Sequence, residues 1–152
     1  MHAIILHHMK KNAELLSKIA DDPKLTALEK MRKITITNYP NTTSQRTMTK
    51  IQLQDNAQMH LKVLVDAVQT FAPILQRVIE QGIKEGSFRT PYPFESMELI
   101  MIMYQFIFAG DIFPMTRKEA VAKAKAYAHF IERILDVKPG TMDYMQKRYE
   151  NI

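Results

Sequence analysis

The most informative part of the chain is Phe71–Arg89, FAPILQRVIEQGIKEGSFR, in which apolar residues recur three and four positions apart. The same spacing continues upstream, so one long amphipathic helix is predicted, with its apolar face formed by Met59, Val63, Leu64, Val68, Phe71, Leu75, Val78 and Ile79. Pro73 removes a helix hydrogen bond and predicts a kink or break. Gly86 can end the helix in the left-handed conformation, with Phe88 folding back onto the last turn.

The segment that follows is apolar nearly all round. After the extended connector Pro91-Tyr92-Pro93, the few polar residues between 94 and 113 do not form a continuous polar face. A helix without a polar face has to be covered on every side. In a chain of 152 residues, we expect one side of this helix to meet another subunit.

The rest of the chain also predicts helices. Thr26 with Glu29, and Thr116 with Glu119, each fit the capping box that begins a helix. No stretch alternates apolar and polar residues convincingly, so a sheet is not expected. The sequence predicts an all-α, multi-helix bundle in a single domain, residues 1–152, with its other helices near 2–20, 26–38, 44–54, 117–136 and 141–149.

Composition narrows the class of protein. The chain has no cysteine, which excludes disulfides, thiolate metal sites and a cysteine nucleophile. Its most apolar stretch, 97–113, is interrupted by polar residues and is shorter than a membrane span, and no signal peptide is recognisable. We expect a protein of the cytoplasm without a membrane partner.

The net charge of +5 is uneven along the chain. Residues 1–54 hold nine Lys/Arg against four Asp/Glu, whereas residues 55–152 hold twelve of each. A solvated surface is the ordinary interpretation of such a surplus. The alternative is that the N-terminal third lies near a polyanion such as DNA.

The sequence shows no pattern typical of catalysis. None of the five histidines has the spacing of a helical zinc site, and no nucleophile elbow, phosphate-binding loop or dinucleotide fingerprint is present. We therefore expect neither an enzyme nor a bound metal or cofactor.

Eleven methionines suggest a different property. Flexible methionine side chains can simply fill an ordinary core, but with aromatic rings they can also form a deformable pocket for a small apolar ligand. The residues predicted to line such a pocket are Met31, Met48, Met59, Leu64, Phe71, Met101, Tyr104 and Phe108. Thus a small apolar or aromatic effector is the expected partner.

The stretch 71–89 resembles the central helix of the regulatory domain in tetracycline-repressor (TetR) family regulators. In that family a proline-containing helix ends in Gly-x-x-x-Gly-x-Phe, as at Gly82, Gly86 and Phe88, and leads through a short link into a very apolar helix. Residues 20–31 are similar to the family's connection into its first regulatory helices.

The resemblance implies an effector-binding, homodimerising domain whose ligand modulates DNA binding by an N-terminal helix-turn-helix head. Residues 1–20 resemble the helix that joins head to body, and no helix-turn-helix is recognisable, so DNA contact is expected only through a head missing from this chain. The last two large helices, about 94–113 and 117–136, would form the dimer, with the interface predicted at Ile100, Ile107, Ala120, Ala124, Tyr127, Ala128 and Ile131.

Two other interpretations stay open at this stage. One is a helical protein-interaction dimer without a ligand cavity. The other is a monomeric carrier of small hydrophobic molecules without a link to DNA. The size of any cavity and the oligomeric state distinguish them.

Overall fold

The computed structural model describes residues 2–37, 57–108 and 114–150, and within these ranges every regular element is an α helix. The all-α prediction is therefore confirmed, whereas the helix predicted near 44–54, which includes Met48, lies outside the described residues. The helices are α1 (His2–Ala20), α2 (Ala27–Thr37), α3 (Ala57–Glu85), α4 (Pro93–Ile107), α5 (Arg117–Leu135) and α6 (Tyr144–Glu150).

Helix α3 is the centre of the fold and packs against α1, α2 and α4. Its buried face includes Phe71, Leu75, Val78 and Ile79, at the positions that the periodicity predicted. Of the kink or break expected at Pro73, the break does not occur, since α3 continues through this exposed proline, and the kink stays a prediction. Buried side chains on both sides of Pro73 hold the helix in place, and tertiary packing outweighs the lost hydrogen bond.

The C-terminal end of α3 has the predicted geometry. Gly86 adopts a φ of 75°, and the amides of Ser87 and Phe88 donate to the Gly82 carbonyl at 2.8 and 3.0 Å. Phe88 turns back onto the helix and is almost fully buried. The Gly-x-x-x-Gly-x-Phe pattern thus has a reason at each glycine: a Cβ atom at Gly82 would overlap the Phe88 ring, and Gly86 has a positive φ that glycine adopts without strain.

The junction of α1 and α2 is fixed to α3 by polar contacts. The ammonium of Lys30, itself only 3% exposed, donates to the Ala20 carbonyl at 2.6 Å and to Gln81 Oε1 at 2.5 Å. Arg77 on α3 forms a bidentate ion pair with Asp21, in which Nε donates to Oδ1 at 2.9 Å and Nη2 donates to Oδ2 at 3.1 Å. These contacts hold the end of α1 against the middle of the domain.

Helix α5 begins at the predicted capping box, in which the Thr116 hydroxyl accepts from Glu119 N and the Glu119 carboxylate accepts from Thr116 N. It ends at Asp136, which has a positive φ of 48°. The chain then turns back and places α6 against the bundle.

Candidate ligand-binding site

A cavity of about 300 Å³ lies among α2, α3, α4, α5 and α6. Its volume is at the lower end of the range for small-molecule sites. Thioether, aliphatic and aromatic side chains make up most of its wall, which consists of Met31, Ile34, Thr35, Ala67, Phe71, Leu75, Met97, Ile100, Met101, Tyr104, Gln105, Phe108, Ala124, Tyr127 and Met145.

Three aromatic rings form one side of the cavity. The ring centroids of Tyr104 and Phe108 are 5.3 Å apart. The ring centroid of Tyr127 lies 5.8 Å from that of Tyr104 and 5.6 Å from that of Phe108. The contacts are tilted or edge-on, the arrangements that aromatic pairs prefer. Such a cluster offers both ring faces and ring edges to an aromatic ligand.

Tyr127 also connects two helices. Its phenol donates a hydrogen bond to the Ile100 carbonyl at 3.0 Å, so a side chain of α5 is bonded to the backbone of α4. The bond fixes the ring of Tyr127 in the cavity wall. It also satisfies a polar group that would otherwise be costly to bury.

The described lining residues include no charged side chain. The polar groups among them are hydroxyls and one amide, and the Thr35 hydroxyl already donates to the Met31 carbonyl at 2.8 Å. An ion that entered this space would lose its hydration without an opposite charge nearby, which is strongly unfavourable. The cavity therefore suits an uncharged, largely apolar molecule.

Five of the residues predicted to bind a ligand line this cavity, namely Met31, Phe71, Met101, Tyr104 and Phe108. Met59 and Leu64 are half-buried on the N-terminal half of α3, outside the lining. The cavity brings together residues from helices that are distant in sequence. The role of these residues in ligand binding stays a prediction.

Sequence reasoning missed several wall residues, among them Ala67, Met97 and Met145. Met97 is on the apolar helix that the sequence identified, but nothing in an all-round apolar segment distinguishes the cavity side from the others. Met145 is on a short helix whose return onto the cavity depends on tertiary packing. No local signal could have placed it there.

The predicted dimer interface needs a correction. Ile100, Ala124, Tyr127, Ala128 and Ile131 are at most 8% exposed within a single chain. Ile107 and Ala120 are half-buried. The sequence identified the apolar face of α5 correctly, but the domain's own helices cover it, which leaves the five buried residues no surface for a second subunit.

A different set of apolar side chains points outward. Leu99, Ile102 and Phe106 follow one another along α4 and are 55%, 43% and 39% exposed, and Phe130 on the adjacent α5 is 51% exposed. We refer to these four residues as the outer apolar face. Its three residues on α4, Leu99, Ile102 and Phe106, lie on the opposite side of that helix from the buried Met97 and Ile100.

Residues 2–37, 57–108 and 114–150 contain no group of three or more potential metal ligands (His, Asp or Glu). None of the helices in these ranges combines the length and the apolar character that a membrane span requires.

The helices and the cavity define an all-α domain with an apolar cavity between its helices. Residues 38–130, more than half of the chain, match the sequence profile of the family described as "Tetracyclin repressor-like, C-terminal domain", and the chain belongs to this family. Domains of this kind are the regulatory parts of transcriptional regulators and are generally not enzymes. A comparison with curated proteins found no match.

Proposed function

We propose that this chain is the effector-binding and homodimerising domain of a TetR-like transcriptional regulator. The observation that carries the proposal is the apolar cavity, because side chains from five helices of a domain from this family line it. Residues 1–152 would act as one unit in the cytoplasm. DNA would be contacted only by a helix-turn-helix head outside these residues.

The proposed effector is a small, uncharged molecule that is apolar or aromatic. The rings of Tyr104, Phe108 and Tyr127 provide a surface for stacking, and the methionines around them can adjust to different shapes. Gln105 and Thr35 supply polar atoms at the wall that can orient such a molecule.

The outer apolar face is the proposed dimer contact. Its four large side chains would otherwise remain in water, and such patches mark protein contacts on soluble domains. The inner sides of α4 and α5 line the cavity while their outer sides carry this face. An effector that shifts these helices would change how two copies meet, and α1 would transmit the change towards the heads.

Fluorescence binding of a neutral aromatic dye, N-phenyl-1-naphthylamine, tests the cavity. We expect saturable binding to the wild-type protein and a loss of at least tenfold in affinity for Ala67→Phe, which fills the cavity. Gln69→Phe is the control, because Gln69 is exposed on the same helix and outside the wall. Equal binding by the two variants would contradict the assignment of the site.

Sedimentation velocity tests the dimer. We expect Leu99→Glu to yield monomers, because the introduced charge would be buried between subunits. Leu61→Glu is a matched control, since Leu61 on α3 is 56% exposed and Leu99 is 55% exposed. A wild-type protein that is monomeric at high concentration would rule out the dimer, and if it also bound the dye, the carrier interpretation would be favoured.

A further inference from the structure

The residues after α5 lie beyond the part of the chain that matches the family, which ends at residue 130. They nevertheless form part of the cavity. After Asp136 the backbone reverses, and Met142 and Met145 become buried at 0% and 7% exposure. Met145 belongs to the cavity wall, whereas Met142 is packed elsewhere in the core. We call residues 137–150 the return segment.

A buried carboxylate holds the return segment to α5. Glu132 is only 4% exposed, and its Oε1 accepts a hydrogen bond from the backbone amide of Met142 at 2.8 Å. A carboxylate removed from water needs such a partner, and hydrogen bonds to charged acceptors are stronger than neutral ones. This hydrogen bond therefore fixes Met142, two residues before the first residue of α6, against α5.

The return segment also contacts α2. The guanidinium of Arg32 lies 5.8 Å from the centroid of the Tyr144 ring, and the Tyr144 phenol donates to Met142 Sδ at 3.3 Å. The side chain of Thr35 interacts with Tyr144 and also lines the cavity. Consequently, Tyr144 contacts α2 next to the cavity wall, while Met145 is itself part of that wall.

We propose that α6 is a ligand-selecting wall of the cavity, in which Met145 sets the size of the molecule that fits. A ligand in the cavity would in turn strengthen the docking of α6 onto the rest of the domain. This assignment rests on the proposed function, since it requires that a ligand occupies the cavity. It extends that function to a part of the chain outside the family match.

Two neutral dyes of different size test the selection, 1-naphthylamine and the larger N-phenyl-1-naphthylamine. The measured quantity is the ratio of their affinities. In Met145→Ala we expect this ratio to shift about tenfold towards the larger dye, because the truncated side chain leaves room for it. Met145→Phe should shift the ratio in the opposite direction, and it provides the test even if the alanine variant does not fold.

Met142→Ala is the matched control, because it removes the same side chain from the same segment outside the cavity wall. We expect it to lower stability without changing the ratio. Ratios equal to the wild-type value in both Met145 variants would overturn the role of α6 while leaving the proposed function intact. Failure of either dye to bind the wild-type protein would instead contradict the proposed function, and this assignment with it.

Hydrogen–deuterium exchange provides the second measurement. Saturation of the wild-type protein with N-phenyl-1-naphthylamine should slow exchange of the amides in residues 142–147 several-fold, because a filled cavity supports the docked α6. Unchanged exchange there, with slower exchange in α3 and α4, would show that the dye binds without α6 and would overturn the proposal.

Discussion

The Phe88 ring occupies the space beside Gly82 so fully that a Cβ atom at position 82 would overlap it. The first prediction follows from this contact. Gly82→Ala should lower the free energy of unfolding by about 1–3 kcal/mol, because the ring is buried and has little room to move. Urea denaturation measures the effect, and Lys84→Ala, at an exposed position two residues away, is the control. A Gly82→Ala protein as stable as wild type would contradict the steric explanation.

Lys30 should be essential to the junction of α1 and α2. Lys30→Met keeps most of the apolar stem but leaves the Ala20 carbonyl and Gln81 Oε1 without their donor. We expect a loss of about 1–3 kcal/mol in unfolding free energy, as for other buried polar groups left unpaired. The same substitution at the exposed Lys33 of α2 should have little effect. If the two variants are equally stable, the Lys30 contacts do not stabilise the junction.

The hydrogen bond between Tyr127 and Ile100 should contribute measurably to stability. Tyr127→Phe keeps the ring in the cavity wall and removes only the donor, so the expected loss is about 1 kcal/mol. Tyr92→Phe serves as the reference, because Tyr92 is 64% exposed. Thermal unfolding compares the two. A change in dye affinity without a change in stability would assign the phenol to ligand binding instead.

Glu132 should control the docking of the return segment. Glu132→Ala leaves the Met142 amide without its acceptor, and we expect faster hydrogen exchange in residues 142–147 than in wild type. Glu132→Gln keeps an acceptor oxygen and should restore much of the protection. Exchange that is unaffected in the alanine variant would mean that apolar packing alone holds α6.

Because the phenol of Tyr144 is buried, we expect the protein to lose stability at alkaline pH. Burial raises the pKa of Tyr144 to about 12, while the Thr35 hydrogen bond and the charge of Arg32 act in the opposite direction. The folded protein therefore holds this proton at a pH where the unfolded chain, with an ordinary pKa near 10, releases it. The contribution to stability is complete below pH 10 and declines as pH rises towards 12.

The measurement compares wild type with Tyr144→Phe. We expect the stability of wild type to fall more steeply between pH 10 and pH 12 than that of the variant. Absorbance at 295 nm should show one fewer late-titrating tyrosine in the variant. Identical alkaline profiles would contradict the burial of this phenol.

The elements that local chemistry specifies could be predicted from the sequence. The capping boxes at Thr26 and Thr116 and the left-handed end at Gly86 depend on residues only a few positions apart. The apolar periodicity likewise predicted the buried Phe71, Leu75, Val78 and Ile79 of α3, whereas the other four residues of the predicted face, Met59, Val63, Leu64 and Val68, are only half-buried. The uninterrupted course of α3 through Pro73 could not be predicted, because it depends on packing against other helices.

The site was only partly predictable, for a related reason. A periodic apolar face shows that a helix side is covered, but does not show what covers it. Ile100 and Ala124 were assigned to a second subunit, although their own chain buries them and they line the cavity. Met59 and Leu64 share the spacing of Phe71 but lie outside the cavity wall, because α3 contributes to the wall only farther along its length, at Ala67, Phe71 and Leu75.

Helix α4 has the cavity on one side, at Met97 and Ile100, and the exposed Leu99 and Ile102 on the other. An α helix with its side chains is about 10–12 Å across. In the proposed dimer, a bound effector would thus be separated from the neighbouring copy by the thickness of one helix. A rotation of α4 by a fraction of a turn would alter both surfaces at once, without any relay of residues between them.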